Sequence, residues 1–266
     1  MTKHIVITGG TRGIGFGLAK EFIKLGHKIT ICGTTQAGVT KAMDTLNETG
    51  EGIVCQGFVC DVRSGDQIRE FWNQLTQRFG PVHIWINNAG LNQPDIFFHQ
   101  IDDEDIANVV DVNITGVMLA TKIAYRKMIK QGFGTIYNME GFGSNNRKME
   151  KMASYGTSKK AVRYFTESFI RETKGSNVKI CFLSPGMVIT DLLLAPIRQN
   201  PENNQAALKI LNILSDEIET VTPWLAKKID TNTKHGKRIA WLTPTKITAR
   251  FIKSIFHNRK IIEKHL

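Results

Sequence analysis

The sequence predicts an α/β fold: a single doubly wound parallel sheet of about seven strands, flanked by helices. Three observations predict it. Short β-rich runs alternate with helical patterns over most of the chain, as βαβ units require. The centres of those runs are almost wholly apolar, as expected of strands covered on both faces. The 266 residues contain no internal repeat and no long linker, so residues 1–266 are expected to form one domain around one sheet.

The elements follow in order. His4–Thr8 reads as the first strand, and Arg12–Leu25 as a helix with Leu18, Phe22 and Leu25 on one face. Lys28–Cys32, Ile53–Cys60, His83–Asn87, Thr135–Met139, Lys179–Leu183 and Arg238–Leu242 read as the remaining strands. Val39–Glu48, Gly65–Phe79, Glu104–Lys130 and Ala153–Lys174 are the helices between them. One stretch is irregular: Asp191–Pro223, with Pro196, Pro201 and the polar run Gln199–Gln205. It is expected to be an insertion between the last two strands, helical from Gln205 to Glu219. At the strand ends of such a sheet, residues 191–223 would form a small helical lid on a substrate crevice. Residues 245–266 form a basic helical extension in which Ile247, Phe251, Ile252 and Ile255 share one face.

Composition narrows the class. Apolar content of 41% and charged content of 22% suit a globular chain. No secretory signal is visible at the start, and no uninterrupted apolar run approaches the roughly 20 residues that span a bilayer. Cys32, Cys55, Cys60 and Cys181 lie in or beside strand-like runs with no CxxC or Cys/His cluster. Reduced structural thiols, no metal and a cytoplasmic location are therefore expected. The net charge of +11 is uneven: residues 224–266 carry 11 Lys/Arg against 2 Asp/Glu, and the rest of the chain is nearly neutral. A nearly neutral body without a recognition motif argues against nucleic acid. The basic C-terminal helix is expected to pack on its own domain or on a sister subunit; peripheral membrane contact through it is the alternative reading.

Thr8-Gly9-Gly10-Thr11-Arg12-Gly13-Ile14-Gly15 joins the first strand to the first helix. In that context Gly9, Thr11, Arg12, Gly13, Ile14 and Gly15 would bring backbone N–H groups and a helix N-terminus against a dinucleotide pyrophosphate, as in a Rossmann-type sheet. A site for NAD places an acid near the end of the second strand. Here that strand ends Cys32-Gly33-Thr34-Thr35. Arg12, Thr34 and Thr35 could instead receive a 2′-phosphate, and NADP(H) is the expected cofactor.

Tyr155 and Lys159 stand four residues apart, on one face of a helix. A fixed cation beside the phenol is expected to lower its pKa and make it a usable acid or base.

With the TGGTRGIG turn, Asp61-Val62, Asn87-Asn88-Ala89-Gly90, Asn113, Tyr155/Lys159 and Pro185-Gly186 with Thr190 in order, the chain resembles the short-chain dehydrogenase/reductase family over nearly its whole length. The resemblance implies a role for each. Asp61 and Val62 would contact adenine, and Asn88, Ala89 and Gly90 would line the cofactor crevice with Asn87. Pro185, Gly186 and Val188 would bind the cofactor, and Thr190 would bind its carboxamide. Lys159 would hold the nicotinamide ribose and tune Tyr155, and Asn113 would anchor a proton-relay water. Hydride would pass to a carbonyl carbon while Tyr155 protonates the oxygen. The family's frequent assembly suggests a homodimer or homotetramer.

One position departs from the pattern. Where the family usually has Asn-x-Ser-Ser, this chain reads Asn138-Met-Glu-Gly-Phe-Gly-Ser144, so Glu140 and Gly141 hold the serine positions. Ser144 is the candidate replacement; loss of such a donor costs on the order of 10²–10³ in rate. The same run, Ser184-Pro-Gly-Met-Val-Ile-Thr-Asp-Leu-Leu-Leu194 and Trp241-Leu-Thr-Pro244 resemble segments of chlorophyll b reductases. That resemblance implies NADPH-driven reduction of a formyl group on a bulky, apolar tetrapyrrole. A ketone, aldehyde or 3-oxoacyl thioester reductase, and a non-catalytic NADP-binding sensor or scaffold, remain the alternatives.

Overall fold

β1 (His4–Ile7) pairs in parallel with β2 (Lys28–Gly33) on one side and β4 (Ile84–Asn87) on the other. This computed structural model describes residues 1–199, 205–257 and 259–266. β3 (Cys55–Val59) extends the sheet beyond β2; β5 (Gly134–Met139), β6 (Val178–Ser184) and β9 (Arg238–Ala240) extend it beyond β4. The order β3-β2-β1-β4-β5-β6-β9 is parallel throughout and contains all seven strands expected from sequence. The direction of winding reverses between β1 and β4, which opens a crevice at their C-terminal ends.

Alternation along β1 sets two cores. Ile5 and Ile7 pack with Leu18 and Phe22 of α1 (Gly13–Lys24), Leu46 of α2 (Gln36–Asn47) and Val221 and Leu225 of α9 (Ile218–Asp230). Val6 faces the other way, to Phe71 and Trp72 of α3 (Gly65–Phe79) and Ala124 and Met128 of α5 (Val117–Gln131). A buried polar chain crosses the second layer. Trp85 Nε1 donates to Asn87, Asn87 Nδ2 donates to Thr121 and Asn138, and Asn138 Nδ2 donates to Thr166 of α6 (Ala153–Glu172). These bonds fix the ends of β4 and β5 to the helix carrying Tyr155.

The long helix expected at 104–130 is interrupted. α4 (Asp103–Val110) passes through a π-helical turn, Asp111–Gly116, before α5 begins. The whole run Asp103–Gln131 is long and apolar enough on average to cross a membrane, but Val117, Ala120, Ile123, Ala124 and Met128 are buried within the protein. β3 starts two residues later than expected because Asn47 Oδ1 accepts from the Val54 and Cys55 amides and turns the chain there.

The insertion also departs from expectation. α7 (Asp191–Gln199) makes its first part helical, and part of the polar run, 200–204, lies outside the described residues. α8 (Gln205–Leu214) ends five residues before Glu219. β8 (Ser215–Asp216) follows it and pairs in parallel with β7 (Met187–Val188), a two-stranded ladder the periodicity does not reveal. Asp216 holds this corner, accepting from Trp241 Nε1, Arg250 and Arg259.

The C-terminal helix α10 (Pro244–Phe256) is oriented against expectation. Its polar side faces the protein: Arg250 pairs with Asp216 at 2.6 Å, and Lys246 lies over the Trp241 ring. Its apolar side faces outward, with Phe251, Ile252, Ile255 and Phe256 exposed by 42, 56, 76 and 78%. Asp216 decides the rotation, since a carboxylate held this far inside draws the arginine side of the helix onto it.

Candidate active site

The glycine turn and the loop after β4 are stapled together. Thr8 Oγ1 accepts from the Asn88 and Ala89 amides, and Asn88 Nδ2 donates to the carbonyls of Thr8 and Gly9. Gly9 has φ +61°, and a Cβ there would lie 2.8 Å from Ala89 Cα, so the approach needs glycine. Arg12 is the N-cap of α1 and forms no side-chain cap, which leaves the first-turn N–H groups turned toward the crevice. No acidic residue stands in that first turn. A pyrophosphate fits such a cradle by hydrogen bonding and by helix dipole.

Arg12, Thr34 and Thr35 are exposed at the adjoining edge. Thr35 Oγ1 caps α2 by accepting from Gly38 N, which directs the N-terminus of α2 to the same place. Asp61 is clamped by Arg63 in a bidentate pair that holds its carboxyl below the usual range, and Val62 is buried. Thr190 reaches over the turn: a Cβ on Gly13 would lie 3.4 Å from its methyl group. Pro185 is buried, Gly186 abuts Leu242 and Val188 is buried in β7.

Tyr155 and Lys159 sit in the first two turns of α6, 9% and 4% exposed. Lys159 Nζ lies 5.6 Å from the Tyr155 ring centroid. Among the described residues neither the phenol oxygen nor the ammonium has a hydrogen-bond partner. The expected lowering of the Tyr155 pKa is not found. Burial pushes the phenol up to about 12 and the lysine down to about 8, because desolvation outweighs their mutual influence in this dry setting. The pair is therefore a neutral phenol beside a weakened cation. A buried ammonium without a carboxylate suits the hydroxyls of a ribose.

Asn113 lies in the π-helical turn, fully buried. Its Nδ2 donates to Leu91 O and Ser158 Oγ, and its Oδ1 accepts from Leu91 N. Its side chain thus ties the loop after β4 to α6.

Ser144, the candidate substitute for the missing serine, has its hydroxyl committed to the protein. It is 2% exposed; its hydroxyl accepts from Gly141 N at 3.1 Å and donates to Lys159 O at 3.2 Å. With its only proton engaged, it braces the turn against α6. Gly141 itself packs on the phenol: a Cβ there would be 2.6 Å from Tyr155 Oη. Glu140, 3% exposed, is held between two arginines instead, accepting from Arg238 Nε at 2.7 Å and lying 3.9 Å from Arg163 of α6.

Two residues escaped the sequence reading. Met152, the N-cap of α6, gives no side-chain cap, and Gln93 does so from 62 positions away, its Oε1 accepting from Tyr155 N at 3.0 Å. Asp95 approaches Lys151 at 3.6 Å and Lys151 lies over Phe97, closing the loop after β4 onto the start of α6. Gln93 follows the recognisable Asn-Asn-Ala-Gly run by three residues, the one signal that could have found it. Leu91, Ile96, Phe97 and Phe98 of that loop are exposed, as is Met149 just before α6.

A family model described as short chain dehydrogenase matches residues 3–201. The chain is 34% identical to chlorophyll(ide) b reductase NOL of Arabidopsis thaliana, over 98% of this chain and 73% of that one. It is 33% identical to a probable chlorophyll(ide) b reductase, NYC1, of Oryza sativa subsp. japonica, over 92% of this chain, and spans about half (51%) of that longer protein. Among solved structures, a single-residue variant of actinorhodin polyketide ketoreductase with NADPH superposes with a TM-score of 0.80 at 24% identity, covering 90% of this chain and 95% of that one, a likeness of fold.

Proposed function

The chain belongs to the short-chain dehydrogenase family, and from that premise we propose that its substrate is a formyl group on a bulky, largely apolar tetrapyrrole. The protein is an NADP(H)-dependent oxidoreductase of the carbonyl/alcohol couple. One observation carries the finer reading. Tyr155 Oη and Lys159 Nζ have no protein partners, and the loop that meets the start of their helix exposes Leu91, Ile96, Phe97 and Phe98, which suits a large hydrophobic carbonyl compound. The similarity to chlorophyll(ide) b reductases over almost the whole chain supports the same substrate class.

The roles follow from the geometry. NADPH, when bound, would supply the hydride for the carbonyl carbon. Tyr155, held neutral by burial, would donate its proton to the carbonyl oxygen as charge develops there. Lys159 would hold the ribose and stabilise the phenolate left behind. Asn113 would order the path by which a proton returns. Arg12, Thr34 and Thr35 would receive the 2′-phosphate, and the cap of α1 the pyrophosphate. Residues 191–223 would close over the substrate as a lid.

The protein would act in the cytoplasm as a homodimer or homotetramer. The outward apolar side of α10 supports peripheral contact with a membrane surface. A smaller ketone, aldehyde or 3-oxoacyl thioester would use the same chemistry. NADPH oxidation with chlorophyllide b, aromatic aldehydes, a steroid ketone and a 3-oxoacyl thioester, comparing wild type with Tyr155→Phe, tests the proposal. Turnover of chlorophyllide b that Tyr155→Phe abolishes is expected; preference for a small ketone or thioester replaces the substrate, and equal rates in the two proteins remove Tyr155 as the acid.

A further inference from the structure

Besides Tyr155 itself, the site lacks an obvious donor for the substrate. The position of the family's serine is Gly141, whose amide already donates to Ser144 Oγ. Ser144 donates to Lys159 O, Ser158 to Tyr155 O, and Asn113 Nδ2 to Leu91 and Ser158. Asn88 Nδ2 is engaged with Thr8 and Gly9. The side-chain donors of Ser144, Ser158, Asn113 and Asn88 are thus occupied by protein, and the free Lys159 ammonium is the group that would hold the ribose.

Gln93 is the exception. It is 5% exposed, and its carbonyl oxygen caps α6 at the Tyr155 amide. That bond fixes the orientation of the side-chain amide, since only the oxygen can accept from N–H. Its Nε2 is consequently a buried donor with no partner. The Ser154 hydroxyl, on the residue before the capped amide, is orphaned in the same way. A buried donor left unpaired is costly, so two of them flanking one backbone amide point to a ligand atom that completes them. The segment carrying Gln93 runs across the reacting groups: a Cβ on Gly90 would lie 3.2 Å from Asn113 Oδ1 and 3.5 Å from Lys159 Nζ.

We infer that Gln93 Nε2 is a substrate-binding donor, presented at the N-terminus of α6 to an oxygen of the carbonyl substrate. The assignment rests on the carbonyl-reductase reading above. It makes Gln93 bifunctional: one end of the amide holds the catalytic helix, and the other holds what that helix acts on. The site then recognises its substrate without the usual serine, from the loop after β4.

Gln93→Glu separates the two ends. It keeps an oxygen to accept from Tyr155 N and replaces the donor with an acceptor; Gln93→Met removes both. Wild type and both variants are assayed with chlorophyllide b and with benzaldehyde, whose only acceptor is the reacting oxygen. NADPH affinity by nicotinamide fluorescence and thermal unfolding are measured beside them. Gln93→Glu is expected to lower kcat/KM about tenfold to a hundredfold, with NADPH affinity and melting temperature retained. Gln93→Met is expected to lose melting temperature as well. A loss with both aldehydes assigns the contact to the reacting oxygen; a loss with chlorophyllide b alone assigns it to another oxygen of that substrate. Wild-type kcat/KM in Gln93→Glu on both aldehydes overturns the inference. A wild type idle with every carbonyl compound overturns the reductase reading first, and this assignment with it.

Discussion

The Cβ that Gly141 lacks would stand 2.6 Å from Tyr155 Oη, inside the contact distance of the two atoms. Position 141 is one of those where the family usually carries serine, yet here a serine cannot be added back. Gly141→Ser is expected to displace the phenol rather than assist it, and Gly141→Ala to do the same. Both should lower kcat about tenfold or more, as misplacement of an acid by an ångström does. Steady-state NADPH oxidation measures this; a gain of activity in Gly141→Ser would show that the turn has room for the missing hydroxyl.

The pH profile follows from burial. Tyr155, pushed up to about 12, stays protonated through the neutral range and imposes no loss there. Lys159, pushed down to about 8, is charged below that pH and loses its proton above it. In the free enzyme kcat/KM for NADPH should therefore hold below pH about 8 and fall as the pH rises past it. The same shift bears on stability: the unfolded lysine, near 10.5, binds the proton more tightly than the folded one, so the cost of burying it is relieved as pH rises between the two values. A flat kcat/KM profile from pH 6 to 10 would remove the lysine charge from cofactor binding.

Ser144 separates bracing from chemistry. Ser144→Ala leaves the Gly141 amide and the Lys159 carbonyl without this partner, and is expected to destabilise the protein by about 1–3 kcal/mol. Because its hydroxyl does not serve the substrate, kcat should change less than tenfold. Chemical denaturation and kinetics on one sample decide it; a large loss of kcat with unchanged stability would return Ser144 to the reacting position.

Much of this was legible in sequence, for physical reasons. The strands are doubly covered and hence continuously apolar, and the glycine turn and the Tyr155/Lys159 spacing are local patterns. What was not legible depends on partners far along the chain. Ser144 looks available until the fold places the Lys159 carbonyl against it, 15 residues on. Gln93 caps a helix 62 residues away, and Glu140 meets an arginine 98 residues away. The Tyr155 pKa moved opposite to expectation because spacing reports the neighbouring cation and not the loss of water. For α10, periodicity defined two faces correctly, but which face packs was decided by Asp216.

Cofactor preference has its own test at the edge of the crevice. Arg12 is exposed, and the neighbouring Thr34 replaces the acid of an NAD site with a neutral hydroxyl. Arg12→Ala is expected to weaken NADPH binding about tenfold, the loss of one charge-assisted contact, and to leave NADH binding nearly unchanged. Fluorescence titration with both nucleotides reads the ratio. Equal losses for both would place Arg12 at the pyrophosphate instead of the 2′-phosphate.

The apolar side of α10 supplies the last prediction. Four large side chains, Phe251, Ile252, Ile255 and Phe256, face outward from a helix that carries three basic residues and no acid. Lys253, on that helix, and Lys260 and Lys264 after it are exposed, so two copies meeting through this face would bring like charges together. An anionic lipid surface offers the opposite charge and an apolar layer beneath it. The protein should sediment with vesicles of phosphatidylcholine and phosphatidylglycerol, less so with phosphatidylcholine alone or at high salt. Phe251→Ser with Phe256→Ser should abolish that binding, each ring contributing about 1.5–3 kcal/mol when buried, while turnover of a water-soluble aldehyde persists. If the double variant still binds vesicles, the face lies elsewhere; if it instead changes the sedimentation of the free protein from oligomer to monomer, the face joins subunits.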